Sequence, residues 1–133
     1  MLDFDAKILS TIHRYLTIEG AQSVFTANTT QEGLDMLRTK KPKIECIVCA
    51  EDIAPQTGIE FLKELRSGRH GDSMRDIRFV MLTAHREVAL VEVAKKLDVN
   101  GYILKPVDYN SFAHHIREAL AHAFKPKASE EYL

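Results

Sequence analysis

A chain of 133 residues that is 45% hydrophobic and 28% charged has the composition of one globular domain, long enough to bury a core of its own. Its formal net charge of −1 gives no electrostatic case for nucleic acid or for a membrane surface. No apolar stretch approaches the roughly 20 residues of a membrane span and no leader pattern opens the sequence, so a cytoplasmic protein is expected.

Only Met1 and Leu2 precede the first acidic residue, Asp3. Ile8, Leu9, Ile12, Tyr15 and Leu16 recur at helical spacing and predict a helix over Ala6 to Ile18, with Asp5 as N-cap and Gly20 as its stop. Gln22 to Ala27 reads as a short strand, and Thr30 to Thr39 as a helix capped by Thr29 or Thr30. Ile44 to Ala50 is almost uninterrupted apolar sequence, too short for a helix, and it suits a strand buried on both faces. A helix is predicted from Ile59 to Arg66, then an exposed polar loop from Ser67 to Asp76. A strand follows over Ile77 to Leu82, a helix over Arg86 to Leu97, and a strand over Gly101 to Leu104. Asp108 caps a last helix running to about Ala123. Residues 125–133 read as a tail behind a domain of residues 1–124, with too few apolar side chains for a second core.

Strands alternating with helices predict an α/β fold with a mostly parallel sheet. Every helix but the first follows a strand. The strand that should precede Ala6 is therefore short, missing, supplied by another chain, or cut from the sequence. Cys46 and Cys49 form a C-x-x-C, but an offset of three along a strand points the sulfurs to opposite faces, so both are assigned to the core. His115 and His122 lie two turns apart on the last helix with no third ligand spaced to join them, and His85 reads as a loop residue.

In open α/β sheets, ligands and chemistry gather beyond the C-terminal ends of the strands. Three such ends can be set side by side: Ala50-Glu51-Asp52, Thr83-Ala84 and Lys105-Pro106, with Asp3 near the N-terminus. Together with the stretches VMLTAH, GYILKP and GIEFLKELR, they resemble the chemotaxis-regulator-like receiver domain of two-component response regulators. The resemblance covers about residues 2 to 120 and implies a flavodoxin-like, doubly wound sheet of strand order 2-1-3-4-5, its first strand short or missing here.

That family accepts a phosphoryl group from a histidine kinase on an aspartate at the end of the third strand. An acidic pair after the first strand holds Mg²⁺, and a Thr or Ser and a Lys on later strands contact the phosphoryl group. A carboxylate can form an acyl phosphate, and the cations neutralise the charge gathered there. By resemblance, Thr83 and Lys105 match the hydroxyl and lysine positions, and Tyr102 the aromatic that changes rotamer with activation. Asp3 matches the first acidic residue, but Phe4 stands where its partner should be. Counting back from Gly58, the phosphoacceptor position is Ala50, which can neither be phosphorylated nor ligate a metal. Glu51 and Asp52 are the displaced substitutes, and Asp3 and Asp52 the weak remnants of a Mg²⁺ site.

The resemblance implies a non-enzymatic, single-domain receiver that acts by phosphorylation-independent protein–protein binding. The expected partner is a histidine kinase, another regulator, or a second copy of the chain in a homodimer. The implied contact surface is the family's face of fourth helix, fifth strand and fifth helix. The helix EVALVEVAKKL carries more apolar residues than one buried face requires, which fits either complete packing or an association surface. The alternatives are a phosphorylated receiver using Asp52 or Glu51 with Mg²⁺, and a flavodoxin-like enzyme. The latter would need a phosphate-binding loop, and no G-x-x-x-x-G-K-[ST] occurs.

Overall fold

The computed structural model describes residues 6–21, 23–39, 43–52 and 56–133. In chain order these form α1 (Ala6–Ile18), α2 (Thr30–Thr39), β1 (Cys46–Cys49), α3 (Gly58–Arg66), β2 (Arg78–Thr83), α4 (Val88–Lys96), β3 (Gly101–Leu104) and α5 (Tyr109–Ala121). Two 3₁₀ turns, Asp72–Met74 and Ser129–Tyr132, complete the set.

The described sheet has three parallel strands in the order β1-β2-β3, with Val48 opposite Val80 and Leu82 opposite Ile103. This is the third-fourth-fifth half of the expected order. Strand alternation divides the core into two layers. Val48, Val80, Leu82 and Ile103 face Ile12, Phe112, Ile116 and Ala119, so α1 and α5 cover one side. Ile47, Cys49, Phe79 and Met81 face Phe61, Leu62, Leu65 and Leu97 on the other, where Leu34 and Leu37 of α2 also pack. Helices on both faces of a parallel sheet make the doubly wound fold the sequence predicts. Cys46 and Cys49 fall into opposite layers, and burial pushes the Cys46 thiol up to about 11.

Three expectations are corrected or left aside. The described part of the predicted strand at Gln22 to Ala27 forms no ladder, and only Ala27 and Thr29 hold isolated bridge positions. Phe25 and Ala27 still turn inward together, toward Met36, Leu37 and Ile47, so the segment packs on the core although its described backbone makes no ladder. The predicted helix over Arg86 to Leu97 begins later, at Val88. The expected short first strand and the Asp5 cap fall outside the described residues.

The loop after α3 and the tail are both more organised than their composition suggests. Arg66 is fully buried beneath them. Its Nη1 donates to the carbonyls of Arg75 (2.7 Å) and Ile77 (2.6 Å), and its Nη2 to the Asp98 carbonyl (3.1 Å) and Asn100 Oδ1 (2.9 Å). These carbonyls flank the N-terminal ends of β2 and β3, opposite the strand ends where chemistry was sought. Burial lowers the Arg66 pKa to about 10, so the guanidinium stays charged at neutral pH. The tail folds back over the same end. Tyr132 is 2% exposed and is the sole buried residue after Ala119. Burying one tyrosine gains on the order of 2–3 kcal/mol.

Candidate functional site

The loop between β1 and α3 is closed by contact rather than by length. A Cβ on Gly58 would lie 2.5 Å from the Ala50 carbonyl oxygen, so only glycine fits, and the Gly58 N–H donates to the Glu51 carbonyl (3.0 Å). This fixes Ala50, 3% exposed, at the C-terminal end of β1 and directly against the start of α3. Thr57 caps that helix by accepting from the Glu60 N–H (3.2 Å), while the Glu60 carboxylate accepts from the Thr57 N–H (2.9 Å). Hydrogen bonds from the Thr57 N–H, and secondarily the Thr57 hydroxyl, hold the Glu60 carboxyl below its usual range.

The two carboxylates after Ala50 go separate ways. Glu51 turns inward and is 6% exposed. Its Oε1 accepts from the Ile59 N–H (3.1 Å) in the first turn of α3, where the helix dipole favours negative charge. Its Oε2 is buried without a hydrogen-bond partner. Asp52 turns outward, and both its oxygens lie 3.0 Å from His85 Nε2. His85 Nδ1 faces Glu87 Oε2 at 3.5 Å, so the imidazole bridges the β1–α3 loop and the start of α4. The hydrogen bond and charge of Asp52 raise the His85 pKa, burial opposes them, and Glu87 adds a lesser upward push.

The main chain of His85 is held as firmly as its ring. Its N–H donates to Thr83 Oγ1 (3.1 Å), and its carbonyl accepts from the Tyr102 hydroxyl (2.8 Å). Thr83 is buried, and Tyr102 is half-buried, which raises its pKa. The Lys105 N–H donates to the Thr83 carbonyl (2.8 Å), joining the ends of β2 and β3, and the Lys105–Pro106 peptide is cis. The structure thus gathers Ala50, Glu51, Asp52, Thr83, Tyr102 and Lys105 at one end of the sheet. Asp52 is turned to His85 and Glu51 to the Ile59 N–H, and Asp3 lies outside the described residues. Sequence reasoning placed His85 here only as a loop residue and passed over Glu87.

Of the side chains that could approach a Mg²⁺ ion here, Asp3 lies outside the described residues. Ala50 has no donor side chain, Asp52 meets a histidine, and Glu51 caps a helix. Among the described residues, no group of three His, Cys, Asp or Glu side chains is disposed to hold a metal.

α4, β3 and α5 each leave apolar side chains in solvent. Val88 is 75% exposed, and Val93, Leu104 and Leu120 are also exposed, while Ala94 is the one buried residue of α4. The complete-packing reading of α4 is therefore wrong: a nine-residue helix lying on the sheet buries one narrow stripe, and the rest of its apolar surface stays in solvent. Among the described residues, no helix is long and apolar enough to cross a membrane.

Residues 2–117 match the family model described as the response regulator receiver domain. The transcriptional regulatory protein CitT of Halalkalibacterium halodurans is 32% identical over 84 residues, covering 63% of this chain and 34% of that protein. ZraR of Klebsiella oxytoca, also a transcriptional regulatory protein, is 29% identical over 99 residues, covering 74% of this chain and 21% of its own length. The chain thus spans about a third or less of these curated relatives. Among solved structures, a two-component response regulator from Legionella pneumophila superposes with a TM-score of 0.72 at 27% identity, covering 91% of this chain and 95% of that one. The chemotaxis protein CheY4 of Vibrio cholerae superposes at 0.77 with 21% identity, covering 90% and 94%.

Proposed function

Because the chain belongs to the receiver domain family of response regulators, we propose that it is a signalling module that works by binding another protein, without carrying a phosphoryl group at the end of its central strand. The observation that carries this reading is Ala50. The contact with Gly58 leaves little freedom in which residue ends β1. That residue offers a methyl group where an acyl phosphate needs a carboxylate. The neighbouring carboxylates support the same reading, since Glu51 is committed to the α3 N-terminus and Asp52 to His85.

The signal is carried by shape. Thr83, His85 and Tyr102 form one hydrogen-bonded chain from the buried end of β2 to the surface of β3. In this arrangement Thr83 accepts from a backbone N–H and Tyr102 is tied to a backbone carbonyl, so the surface beside α4 is held without a bound phosphate. The exposed Val88, Val93 and Leu104 suit a protein partner there: a histidine kinase, another regulator, or a second copy. A signalling role of this kind requires no enzymatic activity and no metal.

Intact mass after incubation with Mg²⁺ and acetyl phosphate tests the reading, with Asp52→Asn and Ala50→Asp alongside. The natural chain is expected to gain no phosphoryl adduct. An adduct that disappears in Asp52→Asn would make the protein a phosphorylated receiver with a displaced acceptor and overturn the proposal.

A further inference from the structure

One residue joins four elements at the C-terminal end of the sheet. The His85 N–H reaches Thr83 at the end of β2, and its carbonyl takes the Tyr102 hydroxyl from β3. Its ring lies between two carboxylates: Nε2 is 3.0 Å from both oxygens of Asp52 in the β1–α3 loop, and Nδ1 is 3.5 Å from Glu87 Oε2. Glu87 is where α4 begins, since its carbonyl accepts from the N–H groups of Leu90 and Val91 (both 3.1 Å). Val88, the next residue, is the most exposed apolar side chain of that helix.

Residues 84–87 form neither helix nor strand, so side-chain contacts set their path. The ring contacts are made in water. The side chains of Asp52 and Glu87 are 66% and 65% exposed, and that of His85 is 34% exposed. Ion pairs in such surroundings hold one geometry only weakly over its alternatives. The backbone contacts they support are different in kind, because Thr83 is buried and Tyr102 half-buried. A weakly held surface bracket therefore sits directly on a hydrogen-bonded chain that leads into the sheet.

We propose that His85 is a positioning residue: its ring, clasped between Asp52 and Glu87, is a latch that holds the Tyr102 hydroxyl and the start of α4 in the arrangement a protein partner binds. The proposal rests on the α4 side being the partner face. Closed, the latch keeps the residue 85 carbonyl within reach of Tyr102. Open, it leaves residues 84–87 free to shift, and Tyr102 loses its acceptor. A partner seated on Val88 and Tyr102 selects the closed state, and so needs only to outweigh a small difference between the two.

The test is carbon-13 NMR of the full chain with ring-labelled tyrosine and methyl-labelled valine, at about pH 6, with EDTA and without any phosphodonor. The Tyr102 signal is identified by its loss in Tyr102→Phe, and the Val88 methyl by its loss in Val88→Ala. Asp52→Asn, Glu87→Gln and His85→Ala are expected to move both signals along one line, His85→Ala farthest, as two exchanging states change in population. Raising NaCl from about 0.1 M to about 1 M shortens the screening length from about 10 Å to about 3 Å, and is expected to move the natural chain along the same line. Lys95→Ala, which breaks an exposed ion pair with Glu92 on α4 itself, is expected to leave Tyr102 in place. A Tyr102 signal unmoved by Asp52→Asn and by salt would overturn the proposal, as would shifts that scatter off a common line. So would a response to Lys95→Ala as large as that to Asp52→Asn. No step involves phosphorylation, so a phosphoryl adduct in the mass experiment would overturn the phosphorylation-independent reading and leave these shifts to decide the latch.

Discussion

His85 shows how far one residue's role depends on where the chain returns. Its carboxylate partner, Asp52, is 33 positions away in sequence, and nothing in the local pattern of VMLTAH pairs the two. Gly58 is the opposite case, since spacing back from it locates Ala50, and the structure supplies the reason in a backbone-to-Cβ approach of 2.5 Å. Gly58→Ala is therefore expected to destabilise the fold by about 1–3 kcal/mol, because the Ala50 carbonyl is backbone and has no rotamer by which to move aside. Urea unfolding should show a lower midpoint with an unchanged slope. For His85 the sign follows from its raised pKa. The folded state binds the proton more tightly than the unfolded chain, so the stabilisation is complete below about pH 6.5 and is lost as pH rises through the folded-state pKa. Proton-detected titration of the His85 imidazole in EDTA should place its midpoint above that of a free histidine. His85→Gln should flatten the pH dependence of Tm between about pH 6 and 8; an unchanged slope would mean that the Asp52 contact is not populated in solution.

At the scale of elements, legibility followed the strength of the local signal. The strands at Cys46–Cys49 and Arg78–Thr83 are dense apolar runs buried on both faces, and the sequence places both. Thr57-x-x-Glu60 is a capping box written in sequence, although the predicted helix began two residues after its cap. At Gln22 to Ala27 the inward turn of Phe25 and Ala27 was legible, but the described backbone makes no ladder there. The loop after α3 misled in the other direction. Its glycines and charges read as a mobile connection, yet Arg66, a helix-terminal residue that normally faces water, is drawn beneath it. A planar fork with several donors can satisfy carbonyls on two strands at once, and a lysine cannot. Arg66→Met should cost on the order of 3 kcal/mol or more, because it strands buried carbonyls that had donors. Arg66→Lys should recover little of that loss in thermal unfolding. Near-complete rescue by lysine would show that charge, and not the fork, is what the site requires.

The two ends of the molecule meet in α3. Its first turn holds Glu51 and faces Ala50 through Gly58, and its last residue is Arg66, beneath the tail. Nine residues at about 1.5 Å each separate the ends by more than a turn-to-turn contact, and the helix is anchored along its length by Phe61, Leu62 and Leu65. Close-packed layers of this kind either hold still or shift as a unit. If α3 holds still, the ends are energetically independent: they share no partner, and changes more than about 10 Å apart usually add within about 0.5 kcal/mol. A double-mutant cycle between Gly58→Ala and Tyr132→Phe in urea unfolding decides between these cases. Additivity is expected, because Phe61, Leu62 and Leu65 fix α3 against the sheet and Tyr132→Phe removes a hydroxyl aimed at Asp98, not at the helix. A coupling energy above about 1 kcal/mol would mean that α3 moves as a rod. Docking of Tyr132 would then be felt at the Ala50 end through the helix.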